Sequence, residues 1–346
     1  FWLKSWAQAS LRPCVKAPLW NRRKRMSFFS AFGPTVYGVV GATGLQGGAT
    51  VKALLEANPS CKIRAFTRDP SSEKAQALKG PTVEVVKCDV NDKASLVSAF
   101  KGCQSVFAVT DFWASCGMDM EKEIQQGKNM GDAAKEAGVS HLVFSTLENT
   151  MEIDSAKPLP LIKGFRVPHF DGKGIVNEYM KKLELPKLTF LYTAMYLDNL
   201  TGAMKPSRVP GACGPCSTFM IPVPVPKEYE IPVVTTADIG RVAATLLLRP
   251  PSGKVNTTAA ITEWATMGDI CEEIGSATGN NVIHMSPAPS TFAKFPFPGA
   301  NDLANMFQFM VISPEFKAIR DVKASKAIGS KDTVKSWAQA NKDKFF

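Results

Sequence analysis

Residues 36–48 read "VYGVVGATGLQGG". A β-branched run ends at Val40, glycines follow at positions 41, 44 and 47, and an amphipathic stretch, "ATVKALLEA", continues from residue 49. A strand, a glycine-rich turn and a helix in that order is the context in which such a triplet becomes a dinucleotide fingerprint. Gly41 then makes the tight turn, Gly44 lets the backbone approach a diphosphate, and Gly47 lets the helix pack closely on the strand. The helix N-terminus supplies unpaired N–H groups and positive potential.

Outward from this loop, short β-branched runs alternate with longer amphipathic stretches. The runs are "VYGVV" (36–40), "KIRAFT" (62–67), "VEVVK" (83–87), "SVFAV" (105–109), "HLVFS" (141–145) and "LTFLY" (188–192). Each is followed by a connection long enough for a crossover helix, so an α/β fold with a Rossmann-type, doubly wound parallel sheet is expected over residues 36–200. Beyond residue 200, "KPSRVPGACGPCSTFMIPVPVPKEYEIP" is rich in proline and reads as an irregular excursion or short edge strands. Helical patterns return later, so residues 201–346 are expected to form a smaller, mixed lobe, from which 231–250 is a candidate to rejoin the nucleotide-binding domain.

The chain's charge of +10 is concentrated at one end. Lys4, Arg12, Lys16, Arg22, Arg23, Lys24 and Arg25 lie in the first 25 residues, which hold no acid, so no basic face for nucleic acid is implied elsewhere. This leader is expected to stand outside the fold. Either it is a mitochondrial transit peptide or it is an upstream remnant before a start at Met26, and "KSWAQA" at 4–9 recurs at 335–340. No apolar run approaches the roughly 20 residues that cross a bilayer. Eight scattered cysteines without a secretory signal suggest reduced thiols and a cytoplasmic setting.

Which dinucleotide is expected follows from "FTRD" at the end of the second strand. A carboxylate there would suit the 2'-hydroxyl of NAD, whereas Arg68 offers a guanidinium fork to a 2'-phosphate, so NADP(H) is favoured, with Asp69 a competing charge. Asp89 and Val90, after the third strand, fall where an adenine ring would rest. Thr110, Asp111 and Phe112, after the fourth, fall beside the nicotinamide half. For all of these, ordinary strand-end turns are the alternative.

These residues resemble the NmrA-like family, an atypical branch of the short-chain dehydrogenases, and most of all its animal NADP(H)-sensor members. The matching stretches are "GATGLQGG", "TRDP", "VTDFWASC", "HFDGKG", "YLDNL" and "FPGANDLANMFQF". The resemblance implies that Gly41, Thr43, Gly44, Leu45 and Gln46 bind the diphosphate and that Arg68 binds the 2'-phosphate. It assigns Thr110 to Phe112 to the central ribose region, Lys173 to the nicotinamide ribose, and Tyr196, Leu197, Asp198 and Asn199 to the carboxamide end. It also implies a regulator that passes the NADP(H) state to protein partners such as transcription factors or metabolic enzymes, in cytoplasm or nucleus, with a cofactor-dependent homodimer as one route. Asp111 departs from the asparagine that relatives tend to carry.

A working dehydrogenase of that branch places a tyrosine four residues before its lysine. In "VPHFDGKG" (167–174) His169 holds that place before Lys173, and Ser145 or Thr146 offers a hydroxyl. Histidine is a competent proton donor near neutral pH. Asp171 as a helix cap, with Gly172 and Gly174 lowering helix propensity, predicts a helix starting near residue 171, with His169 outside it. Turnover by His169, Lys173 and Ser145, as a reductase of small carbonyls or quinones, is therefore the alternative to a sensor. "CGPC" at 213–216 reads as a turn, with a regulatory disulfide as the alternative. No spacing suits a metal.

Overall fold

A computed structural model describes residues 35–209, 217–253 and 255–346. The six expected strands form, as β1 (Val36–Val39), β2 (Lys62–Thr67), β3 (Val83–Lys87), β4 (Ser105–Ala108), β5 (His141–Thr146) and β6 (Leu188–Tyr192). Between them run α1 (Leu45–Ala57), α2 (Glu73–Gln76), α3 (Lys93–Phe100), α4 (Met120–Glu136) and α5 (Pro168–Lys181). Side-chain caps start two of these helices: Asp92 accepts the N–H of Ala94 before α3, and Asp119 that of Lys122 before α4.

Beyond β6 come β7 (Met195–Tyr196), β8 (Ser207–Arg208), β9 (Thr218–Pro222), β10 (Glu230–Val234), α6 (Thr236–Leu248), β11 (Asn256–Ala260) and β12 (Glu263–Thr266). The chain then runs through α7 (Met267–Thr278), β13 (Asn281–Met285), α8 (Pro289–Phe292), α9 (Ala300–Ile312), α10 (Pro314–Ala318), α11 (Val322–Ala327) and α12 (Val334–Ala340). The large sheet has the order β11–β6–β5–β4–β1–β2–β3, with every neighbouring pair parallel. It holds seven strands rather than the six expected, because β11, from beyond residue 250, pairs with β6.

Alternation along the strands sends side chains to two helical layers. Val39, Ile63, Ala65, Phe107, Val143 and Leu191 face α1 and α6, meeting Val51, Leu54, Ile239, Val242 and Leu246. Val40, Phe66, Val106, Phe144 and Phe190 face α3, α4 and α5, meeting Leu96, Phe100, Met130, Val176 and Met180. A third core, with Phe170, Phe292, Phe307, Phe309, Phe316 and Trp337, gathers the C-terminal helices around α5. Arg320 ties that layer to the sheet, donating to Glu148 after β5 and to the Thr193 carbonyl after β6 at 3.0 Å.

Candidate functional site

A parallel sheet brings the carboxyl ends of all its strands to one edge, and the order of this one reverses between β1 and β4. The crevice outside such a switch point is where ligands bind in open α/β sheets. The loop after β1 opens on it. Gly41 has φ +65°, in the left-handed region that favours glycine. A Cβ on Gly47 would lie 2.2 Å from the Gly41 carbonyl oxygen, so α1 is seated against β1 as closely as backbone allows. Gly44 is the N-cap and offers no side-chain hydrogen bond, and the first turn of α1 holds no acid. Its first N–H groups are therefore left to solvent or an anion, with the helix dipole behind them. Thr43 is half-buried and Leu45 exposed on the same turn.

Gln46 joins this loop to the far side of the edge, its Nε2 donating to the Tyr196 hydroxyl at 2.6 Å. Burial pushes that phenol up to about 12, so it stays neutral as acceptor. The Gln46 Oε1 is buried without a partner among the described residues. After Tyr196 the side chains serve the fold: Leu197 is in the core and the Asp198 carboxylate accepts the Thr236 N–H at 2.7 Å, capping α6. The Asn199 carbonyl accepts the N–H groups of Gly202 and Met204.

Arg68 stands exposed at the end of β2. The adjacent carboxylate does not pair with it. Asp69 accepts from the Ser71 N–H at 2.9 Å and the Ser71 hydroxyl at 2.5 Å, and these bonds hold its carboxyl below the usual range. Asp89 turns onto Asn91, accepting its backbone N–H and side-chain amide at 2.9 Å, while the Val90 carbonyl accepts the Asn129 amide. Asp111 likewise closes its own turn, accepting the N–H groups of Ala114 and Ser115 at 3.1 Å.

The "HFDGKG" stretch departs from the expectation. The helix starts at Pro168, in the first position, where proline's missing N–H costs nothing. His169 and Lys173 are therefore both helical and one turn apart on α5, not separated by a cap at Asp171. Asp171 is buried inside the helix, and its carboxylate accepts the N–H groups of Thr150, Arg166 and Val167. Burial pushes this carboxyl up and those hydrogen bonds oppose it. The glycines are required by neighbours: a Cβ on Gly174 would lie 2.5 Å from the Asn149 backbone, and one on Gly172 would lie 2.8 Å from Glu123 Oε2.

Lys173 is held in a buried cage. Its ammonium donates to the Thr110 hydroxyl at 2.7 Å, to the Thr110 carbonyl at 3.2 Å, and to Glu123, with which it forms an ion pair. Glu123, absent from the expected site, is fully buried on α4, and its Oε2 has no partner among the described residues. His169 is also paired, through Nδ1 to Asp302 on α9 at 2.7 Å. Its ring lies 5.1 Å from that of Trp113 and 6.1 Å from that of Phe112. Asp302 lies in "FPGANDLANMFQF", one of the stretches that carry the family resemblance.

Ser145 is buried at the end of β5, and its neighbour Thr146 donates to Asn177 at 2.8 Å. No group of acidic, cysteine and histidine side chains among the described residues could hold a metal. Cys213 and Cys216 lie outside the described residues. Burial pushes the thiols of Cys88 and Cys116 up to about 12, which makes them poor nucleophiles.

Known proteins carry the same framework. The chain is 31% identical over 175 residues to an NmrA-like family domain-containing protein of Dictyostelium discoideum, covering 49% of this chain and 54% of that one. It thus spans about half the length of the first curated relatives it matches. It is 28% identical over 331 residues to an NmrA-like family domain-containing oxidoreductase of Penicillium ochrochloron, covering 86% of this chain and 95% of that one. Among solved structures, NmrA, a negative transcriptional regulator crystallised with NADP, superposes with a TM-score of 0.71 at 21% identity, covering 88% of this chain and 94% of that one. A Citrobacter triphenylmethane reductase complexed with NADP(H) superposes at 0.66 and 22% identity, covering 89% and 99%. The match to the NmrA-like family runs from residue 36 to 338, nearly the whole of the described fold, and the chain belongs to that family.

Proposed function

We propose that this protein binds NADP(H) along the carboxyl edge of its large sheet and acts as a regulator that reports cofactor state to protein partners, with little or no turnover. The observation that carries the binding is Arg68, an exposed guanidinium at the end of β2 whose neighbouring carboxylate is committed to Ser71. The residues present fit the group. The uncapped start of α1, with Gly44, Leu45 and Gln46, faces a diphosphate, and the unpartnered Gln46 Oε1 awaits a donor. On this reading Lys173 and Thr110 belong to the nicotinamide side, where the structure commits the ammonium to Thr110 and Glu123.

The regulatory part is supported by where the site's polar groups are tied. The position of the superfamily's tyrosine is taken by His169, which is bound to Asp302 of α9, and Lys173 is neutralised by Glu123. Occupancy that moves α5 would therefore be felt in the C-terminal helices. A ligand shifts such an equilibrium only by its difference in affinity for the two states. The partners on this reading are proteins rather than nucleic acid or membrane, a cofactor-dependent homodimer is one output, and the setting is cytoplasmic or nuclear.

A second reading is favoured by one observation: His169 and Lys173 stand one turn apart on α5, as an acid and its lysine do in active relatives of this superfamily. When bound, reduced nicotinamide would supply a hydride to an electrophilic carbon. Incubation with NADPH and a panel of quinones and aldehydes, followed by nicotinamide absorbance, separates the two readings. Steady turnover rejects the regulator. A cofactor-dependent change in gel-filtration elution without turnover rejects the reductase.

A further inference from the structure

Asp302 gives both carboxylate oxygens to one residue. Its Oδ1 lies 2.7 Å from Nδ1 of His169, and its Oδ2 accepts the backbone N–H of the same residue at 3.2 Å. A carboxylate only accepts, so the neutral ring facing it carries its proton on Nδ1. That leaves Nε2 as the exchanging nitrogen, and it has no hydrogen-bond partner among the described residues. Phe112 and Phe170 wall the ring, and Trp113, 39% exposed, covers it. Trp113 is set in turn by Gly299, the N-cap of α9, where a Cβ would lie 2.4 Å from the indole.

We propose that Asp302 is a positioning residue that fixes His169 as the Nδ1–H tautomer and so presents Nε2 as a proton-exchanging atom to the oxygen of a planar carbonyl compound lodged against Trp113. The ligand half deepens the reductase reading and rests on it, whereas the orientation of the ring stands without cofactor. In the proton step the N–H bond at Nε2 of the imidazolium breaks as the O–H bond of a carbonyl reduced at carbon forms. The ring is left neutral, with its remaining proton on Nδ1 against Asp302. An aromatic wall beside one oriented nitrogen favours a flat ligand that presents one carbonyl oxygen to that nitrogen.

Asp302→Asn gives a signed test. Asparagine has one acceptor where the native residue has two, so it satisfies the backbone N–H with Oδ1 and must turn its amide N–H toward Nδ1. The ring proton then moves to Nε2. Long-range proton–nitrogen spectra at alkaline pH read this directly, since the chain holds three histidines and His169→Gln assigns the signal. The expected result is Nδ1–H in the native protein and in Asp302→Glu, and Nε2–H in Asp302→Asn. Nε2–H in the native protein, or one tautomer in all three, overturns the positioning role. Menadione, as a planar carbonyl probe with and without NADP+, should shift the native Nε2 resonance when the ring is protonated and its Nε2–H donates to the carbonyl oxygen, and should bind about tenfold more weakly when the native ring is neutral and Nε2 only accepts. No shift at saturation overturns the ligand half. Calorimetry of NADPH on the same samples judges the cofactor reading separately, because the tautomer result needs no nucleotide.

Discussion

Gly47 stands so close to Gly41 that a Cβ on it would lie 2.2 Å from that residue's carbonyl oxygen and 2.8 Å from that of Val40. Both contacts are backbone, so no side chain can swing aside. Gly47→Ala therefore has to push α1 away from β1. Overpacking of this kind costs about 1–3 kcal/mol, and it displaces the helix start proposed to face the diphosphate. The expected outcome is a lower thermal midpoint together with loss of NADPH binding in calorimetry; native affinity in this variant would contradict the phosphate-loop assignment.

Arg68 is expected to decide between the two pyridine nucleotides. A charge-assisted bond to a phosphate contributes about 1.5–3 kcal/mol, which is roughly ten- to hundredfold in affinity. Arg68→Ala should weaken NADPH by that factor and leave NADH nearly unchanged, while Asp69→Ala, whose carboxylate belongs to Ser71, should alter neither. Isothermal titration of both nucleotides against the three proteins is the measurement.

The ion pair of Lys173 with Glu123 should be strongly coupled. Removing one partner of a buried pair leaves the other charge unpaired and costs about 3–5 kcal/mol. Lys173→Met is therefore expected to unfold at much lower denaturant than the native protein, and the double variant with Glu123→Leu to recover most of the loss. Additive losses in that cycle would show that the two side chains do not share a cage.

His141 predicts how stability follows pH. Its Nε2 lies 2.8 Å from the Thr189 hydroxyl, which meets the hydroxyl of Thr257 at 2.8 Å and so links β5, β6 and β11. Burial, and then the charge of Lys187, pushes the imidazole down from 6.5 to about 4. Between those values the unfolded chain binds the proton and the folded chain does not. Stability from this group is complete above the unfolded value, falls as the pH drops from about 6.5 to about 4, and amounts to about 3 kcal/mol. Chemical denaturation across that window should show the slope, and His141→Gln should flatten it.

Much of the fold is legible in the sequence because the central strands are buried on both faces and read as apolar, β-branched runs; β5 is buried along its whole length. β11 is not legible. "NTTAA" at the sheet edge is largely exposed at its start and carries too little apolar patterning to announce a strand. The start of α5 was hidden for a different reason. Gly172 and Gly174 lower local helix propensity, but they are selected by Glu123 and Asn149, neighbours that only the folded chain supplies. The turn of the glycine loop is visible because its geometry is local, with Gly41 at φ +65° and Gly47 against the Gly41 carbonyl. Glu123 and Asp302 are not, since each meets its partner from 50 and 133 residues away.

The pairing of β11 with β6 bears on how the molecule is made. β6 ends at Tyr192 and its edge neighbour begins at Asn256, so the large sheet stays open while the intervening chain emerges from the ribosome. Helix α6, which covers α1, arrives in the same late stretch. Contacts of such long sequence separation slow folding. A nascent chain stopped near residue 200 would expose the flank of β6 and one side of α1, an invitation to chaperones or to strand exchange with another copy.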